Sequence, residues 1–116
     1  MALSEIETAR VKRSLEDFLT RRRPPPHIRH ELDLAYRING QSIEIFEIRP
    51  RWRGQPGEKT EQFVAKATFV RSTGLWKIFW QRADLKWHSY QPKAQVGNID
   101  IFLQVVEEDK HACFFG

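Results

Sequence analysis

Arg49, Arg51, Trp52 and Arg53 lie within five residues, set off by Pro50 and closed by Gly54. Guanidinium forks pair bidentately with phosphate and stack on bases, and an indole adds a stacking face, so this cluster has the chemistry of nucleic-acid recognition. The competing reading pairs the arginines with Glu44, Glu47 or Glu61 and folds Trp52 onto the core as a lid. A second group comprises Lys66, Lys77, Phe79, Arg82, Lys86, His88 and Tyr90, cations interleaved with rings on what reads as strand. Sheet-based single-strand binders combine charge and stacking in this way. The competing reading is a solvated sheet face on which lysine stems cover apolar area. No RNP-type signature accompanies the pattern.

Asp84 stands four residues before His88, a spacing in which a carboxylate can orient an imidazole for general-base work. Nothing supplies the nucleophile, because Ser72, Ser89 and Cys113 lack an elbow motif or partner spacing. His27 with His30 and His111 with Cys113 are zinc-ligand types, but no CxxC or HExxH unit organises them. Glu44, Glu47, Glu58 and Glu61 near Lys66 match no magnesium-site motif and read as alternating charge on strands. The expectation is a binding module with no catalytic residue, metal or cofactor.

The chain has 116 residues, enough to bury a single core, with 41% hydrophobic, 12% aromatic and 29% charged residues. That balance predicts one folded domain over residues 1–116. It comprises an N-terminal helix within 1–23, a sheet region over 24–97, and a C-terminal helix and tail over 98–116. Residues 98–116 hold four acids and one base, so the net charge of +4 conceals a body, residues 1–97, with 18 bases and 11 acids. A basic body attracts polyanions without specificity. No apolar run reaches the roughly 20 residues of a membrane span, and the N-terminus carries charges where a secretory signal would be apolar. With Cys113 as the one cysteine, no internal disulfide is possible, and a cytoplasmic location without membrane contact is expected.

These residues need elements to position them. Ser4 and Glu7 have capping-box spacing, and the apolar residues from Ile6 to Leu19 follow a helical period to about Arg22. Pro24, Pro25 and Pro26 must end that helix. Asn39-Gly40 between two alternating runs predicts a type I′ hairpin pairing Tyr36 with Ile43 and Leu34 with Ile45. A change of phase toward Phe46 and Ile48 predicts a β-bulge near Ile45. Pro50 to Thr60 reads as a long exposed loop. A four-residue connection, Arg71 to Gly74, predicts a second hairpin pairing Phe69 with Trp76, Ala67 with Ile78 and Ala65 with Trp80. Lys66, Thr68, Lys77, Phe79 and Gln81 then occupy its other face. A short strand near Lys86–Tyr90 should follow, then a connection over Pro92–Gly97. A helix capped by Asn98 comes next, with Ile99, Phe102, Leu103 and Val106 as its apolar stripe. Phe114 and Phe115 make the tail apolar enough to dock back.

The segments RPPPHIRHELDL, EIRPRW, WKIFWQRADLKWHSY and CFFG, in that order, resemble the domain of unknown function 3024 family. The resemblance covers Arg23 to Gly116 and implies a bacterial cytoplasmic domain, with no catalytic residue to carry over.

The sequence therefore predicts an α+β fold with an N-terminal helix, four or five mostly antiparallel strands in two hairpins, and a C-terminal helix on the sheet. The core is expected to hold Leu15, Phe18, Leu34, Tyr36, Ile43, Ile45, Phe69, Trp76, Ile78, Trp80, Phe102, Leu103 and Val106. The expected partner is RNA or DNA on the basic, aromatic surface. The alternative is a protein partner or a homodimer, engaged through exposed aromatics or an open strand edge.

Overall fold

The computed structural model describes residues 2–51 and 53–115. Helix α1, Glu5–Arg22, begins at the capping box: Glu7 N–H donates to Ser4 Oγ at 3.1 Å, and Ser4 N–H donates to Glu7 Oε1 at 2.8 Å. Arg71 reaches the same Glu7 carboxylate at 3.1 Å and the Ala2 carbonyl at 3.2 Å, tying the helix start to the turn over residues 71–74. The helix buries Val11, Leu15 and Phe18, a stripe at i, i+4 and i+7. It stops where Arg23 becomes extended ahead of Pro24.

The sheet runs in the order β1 (Asp33–Asn39), β2 (Ser42–Pro50), β3 (Lys59–Val70), β4 (Leu75–Gln81) and β5 (Trp87–Ser89), with every pairing antiparallel. A two-residue strand, β6 (Gln95–Val96), also pairs with β4. Helix α2, Ile99–Glu108, starts at Asn98, whose side chain accepts from Ile101 N–H at 2.9 Å. It ends at Asp109 in the left-handed region. The α+β architecture and the order of its elements follow the sequence pattern.

Three details depart from it. The β1–β2 pairing is Tyr36 with Ile45 and Ile38 with Ile43, closed by Asn39 and Ser42, so Gly40 and Gln41 form the turn. Only Gly40 has positive φ there, at 62°, which suits a type II′ turn in place of type I′. The bulge does fall at Ile45/Phe46, but in the β2–β3 ladder, where Val64 is the extra residue on β3. The segment read as a plain connection contains β6 and the 3-10 turn Gln91–Lys93. Ile78 N–H bonds the Ala94 carbonyl and Tyr90 N–H bonds the Ile78 carbonyl, each at 2.9 Å, so residues 91–93 loop out of one ladder.

The second hairpin has the expected register, with Val70, Phe69 and Ala67 opposite Leu75, Trp76 and Ile78. Small residues oppose large ones, which leaves room for the helices. Ile43, Ile45, Ala65, Ala67, Trp76 and Ile78 share one buried cluster with the stripes of α1 and α2. Tyr36, Phe69 and Trp80 are half-buried at its margin, and Phe114 returns from the tail to join it. Asp109 holds that tail, accepting from Phe114 N–H at 3.0 Å and Phe115 N–H at 2.8 Å.

Arg23 grips Asp33 bidentately at 2.7 and 2.8 Å, fastening the end of α1 to the start of β1. The guanidinium holds the Asp33 carboxyl below the usual carboxylate range, helped by Leu34 N–H and opposed by partial burial. A depressed folded value contributes stability above the unfolded-chain value, about 4, and that stability is lost as pH falls through the folded value. Urea unfolding of Asp33→Asn should therefore show a shallower loss of stability on acidification than the unmodified chain. Equal slopes would mean that the pair contributes nothing. Gly40→Val places a β-branched residue at φ 62°, and should lower unfolding stability by about 1–2 kcal/mol or more.

Candidate functional site

Cross-strand partners share a face, so the ladders assign each side chain to one side of the sheet. The face turned away from the helical core carries Arg37, Glu44, Phe46, Glu61, Phe63, Lys66, Lys77, Phe79 and Trp87. Its rings form a continuous row. Phe46 and Phe63 meet edge-on with centroids 6.1 Å apart, and Phe63 meets Trp87 at 5.4 Å. Lys66 Nζ lies 5.1 Å from the Phe79 centroid and 5.3 Å from that of Trp87, so one ammonium bridges two rings. Arg37 covers Phe46 at 4.8 Å and donates to Glu61 at 2.8 Å. Phe46 is thereby buried outside the helix-side cluster, while Phe63, Phe79 and Trp87 remain half-buried.

Of the second group of sequence candidates, Lys66, Lys77 and Phe79 come together on this face. His88 and Tyr90 do not. β5 pairs His88 with Trp80, and Tyr90 N–H bonds Ile78, so alternation turns both toward the helix side. Tyr90 is 3% exposed in the core, with its ring 4.8 Å from that of Phe114. Arg82 lies over Trp80 at 5.5 Å, and Lys86 is exposed in the β4–β5 turn, where its N–H donates to Asp84. The candidates missed in the sequence are Arg37, Phe46, Phe63 and Trp87. Alternation across the ladder from Phe79 through Ser89 would have found Trp87. Phe46 and Phe63 are hidden by the bulge beside their pair, which shifts the alternation on β3.

The arginine cluster is less available than its composition suggests. Arg49 donates to Glu47 at 3.2 Å, and Arg51 to Glu58 at 3.4 Å. The loop is also shorter than expected, since Pro50 pairs with Lys59 and brings both strands inward. Arg53 takes φ 58°, and Trp52 lies outside the described residues.

His88 Nε2 lies 2.8 Å from Asp84 Oδ2, so the oriented imidazole exists. The Lys86 backbone N–H, then His88, hold the Asp84 carboxyl below its ordinary value. No nucleophile among the described residues is hydrogen-bonded to His88. Ser89 and Cys113 line a cleft with it, but burial, then Asp109, push the Cys113 thiol up, the reverse of what an attacking thiolate needs. Among the described residues no three His, Cys, Asp or Glu side chains converge as metal ligands.

A family model described as a domain of unknown function (DUF3024) matches residues 3–116. The chain belongs to the DUF3024 family. The match takes in α1 as well as the part of the chain that carries the recognisable motifs. No curated protein and no solved structure matches the chain.

Of the non-glycine residues at positive φ, Arg53, Leu85, Asp109 and Ala112, the leucine is the large apolar one. Leu85 has φ 62° and is 76% exposed at the tip of the β4–β5 turn, where Leu85 N–H closes on the Arg82 carbonyl at 2.8 Å. Glycine is the residue that adopts this conformation without penalty. Leu85→Gly should raise stability by up to about 1 kcal/mol in chemical denaturation. A clear loss would show that the leucine side chain stabilises the turn.

Proposed function

We propose that this DUF3024 domain is a non-enzymatic module that binds single-stranded nucleic acid on the open sheet face. The observation that carries the reading is Lys66 poised between Phe79 and Trp87, beside the row from Phe46 to Trp87. A base stacking on a ring gains about 1–3 kcal/mol, and the adjacent ammonium meets the backbone that follows it. The face sets Arg37, Lys66 and Lys77 against Glu44 and Glu61. At most three phosphates can be neutralised there, giving a salt slope no steeper than about −2 for a single strand. Stacking thus outweighs counterion release, and the face suits an unpaired strand better than a duplex.

Fluorescence anisotropy with a labelled mixed-sequence oligonucleotide at several salt concentrations tests this. Trp87→Ala should weaken binding by about 1–3 kcal/mol with little change of slope, whereas Lys66→Gln should reduce the slope by about 0.7. Replacing Arg49 and Arg51 by Gln should change affinity less than Trp87→Ala, because both arginines already have carboxylate partners. Absence of binding at low salt would reject the reading.

A protein partner is the second reading, favoured by Leu85. A strained, exposed leucine at a hairpin tip is maintained against a backbone cost, and contact with a partner would offset it. Sedimentation of the chain over a range of concentrations shows whether that partner is a second copy.

A further inference from the structure

Where residues 91–93 loop out of the β4 ladder, two clefts open on the helix side of the sheet. One, of about 390 Å³, is lined by Trp80, Arg82, His88, Ser89 and Cys113 among others. The other, of about 340 Å³, is lined by Lys93, Val105, Glu108 and Lys110. Tyr90, Pro92 and His111 line both, so the clefts adjoin across the tyrosine.

The polar groups around Tyr90 are not spent within the protein. Tyr90 is almost fully buried, yet its hydroxyl has no hydrogen-bond partner among the described residues and is not sealed from solvent. The hydroxyl opens to solvent where the ring does not, so a group entering the clefts can take the place of water as its partner. Burial, then Cys113 and Asp109, push the hydroxyl above its ordinary value, so it remains a donor at neutral pH. Arg82 makes no ion pair among the described residues and lies against the Trp80 ring. Arg21, Arg23, Arg37, Arg49, Arg51 and Arg71 each pair with a carboxylate, whereas Arg82, like Arg22 over Phe115, rests on a ring and feels Asp84 through charge alone. Asp84 accepts from His88 Nε2–H at 2.8 Å, so Nδ1 can donate to an anion in the imidazolium form of the ring. Lys93 also makes no ion pair among the described residues. Of the acids nearby, Asp84 lies against His88, Glu108 pairs with Lys110 at 3.6 Å, and Asp109 accepts from the tail amides while its charge still acts on the Tyr90 hydroxyl.

We infer that these joined clefts bind a phosphate monoester, gripped by Arg82, the Tyr90 hydroxyl and the imidazolium form of His88. The guanidinium matches two phosphate oxygens, the phenol donates to a third, and Trp80, Pro92 and Cys113 give the organic part of the ligand an apolar wall. The site lies on the opposite side of the sheet from the aromatic row and does not depend on nucleic-acid binding there. A free nucleotide and the 5′-phosphate of a strand end both present the required group.

Calorimetric titration of the full chain with thymidine 5′-monophosphate tests the assignment, with thymidine as the control and NMR following the His88 and His111 imidazoles. Saturable binding of the monophosphate is expected, with shifts of both imidazoles and no effect of thymidine. Arg82→Gln and Tyr90→Phe should each weaken it about tenfold or more, as loss of a hydrogen bond to a charged group does. Because the Tyr90 hydroxyl has no protein partner among the described residues, Tyr90→Phe should leave the unfolding midpoint unchanged. A destabilised Tyr90→Phe with unaltered affinity would assign the hydroxyl a structural role and overturn the proposal. So would equal binding of thymidine, or no saturation up to about 10 mM. A 5′-phosphorylated hexathymidylate that binds more tightly than the mononucleotide, and does so only with Arg82 present, identifies a strand end as the ligand. Equal or weaker binding identifies a free nucleotide.

Discussion

Two amphipathic helices cover one face of this sheet, and the rest of the structure depends on that one-sided burial. α1 contributes Val11, Leu15 and Phe18, and α2 contributes Ile99, Phe102, Leu103 and Val106. They settle on Ile43, Ile45, Ala65, Ala67 and Ile78, where the two alanines leave space for helical side chains. Among the described residues there is no further α-helix to cover the other face. That face must satisfy itself, and does so with rings packed edge to face under the cations of Arg37 and Lys66. The aromatic and cationic surface is thus a direct consequence of how the core was built.

The irregularities fall at the positions where function is proposed. Val64 is inserted opposite the Ile45/Phe46 step, and it changes which β3 residues face the helices. Without it, Phe63 would share a face with Ala65 in the core. With it, Phe63 joins Phe46 and Trp87 outside. The looped-out residues 91–93 act similarly on the other side, keeping Tyr90 and Ala94 both on the Ile78 backbone while opening the clefts between them. One extra residue builds the row of rings, and three build the clefts.

The ion pairs separate fastening groups from available ones. Arg23 with Asp33, Arg21 with Glu107, and Arg71 with Glu7 each join a helix to another part of the fold. They are partly exposed, and each contributes modestly to stability while fixing how the helices meet the sheet. Lys66 and Arg82 lie on rings and form no ion pair among the described residues, although Asp84 acts on Arg82 through charge.

Local chemistry determined much of this fold without reference to its neighbours. A serine and a glutamate three residues apart cap a helix whatever packs on it. Three prolines end it, and the alternation of Phe69 to Ile78 aligns a hairpin because one register opposes small residues with large ones. Alternation alone, however, carries no record of where a strand gains a residue. The sequence therefore placed Tyr90 and His88 with Lys66, whereas pairing with Ile78 and Trp80 turned them to the helix side. The carboxylate partners of Arg49 and Arg51 follow likewise from strands brought close by the sheet. Which cations remain available is a property of three-dimensional neighbours, since an arginine is neutralised by whatever carboxylate the fold brings within reach, and linear spacing does not encode that distance.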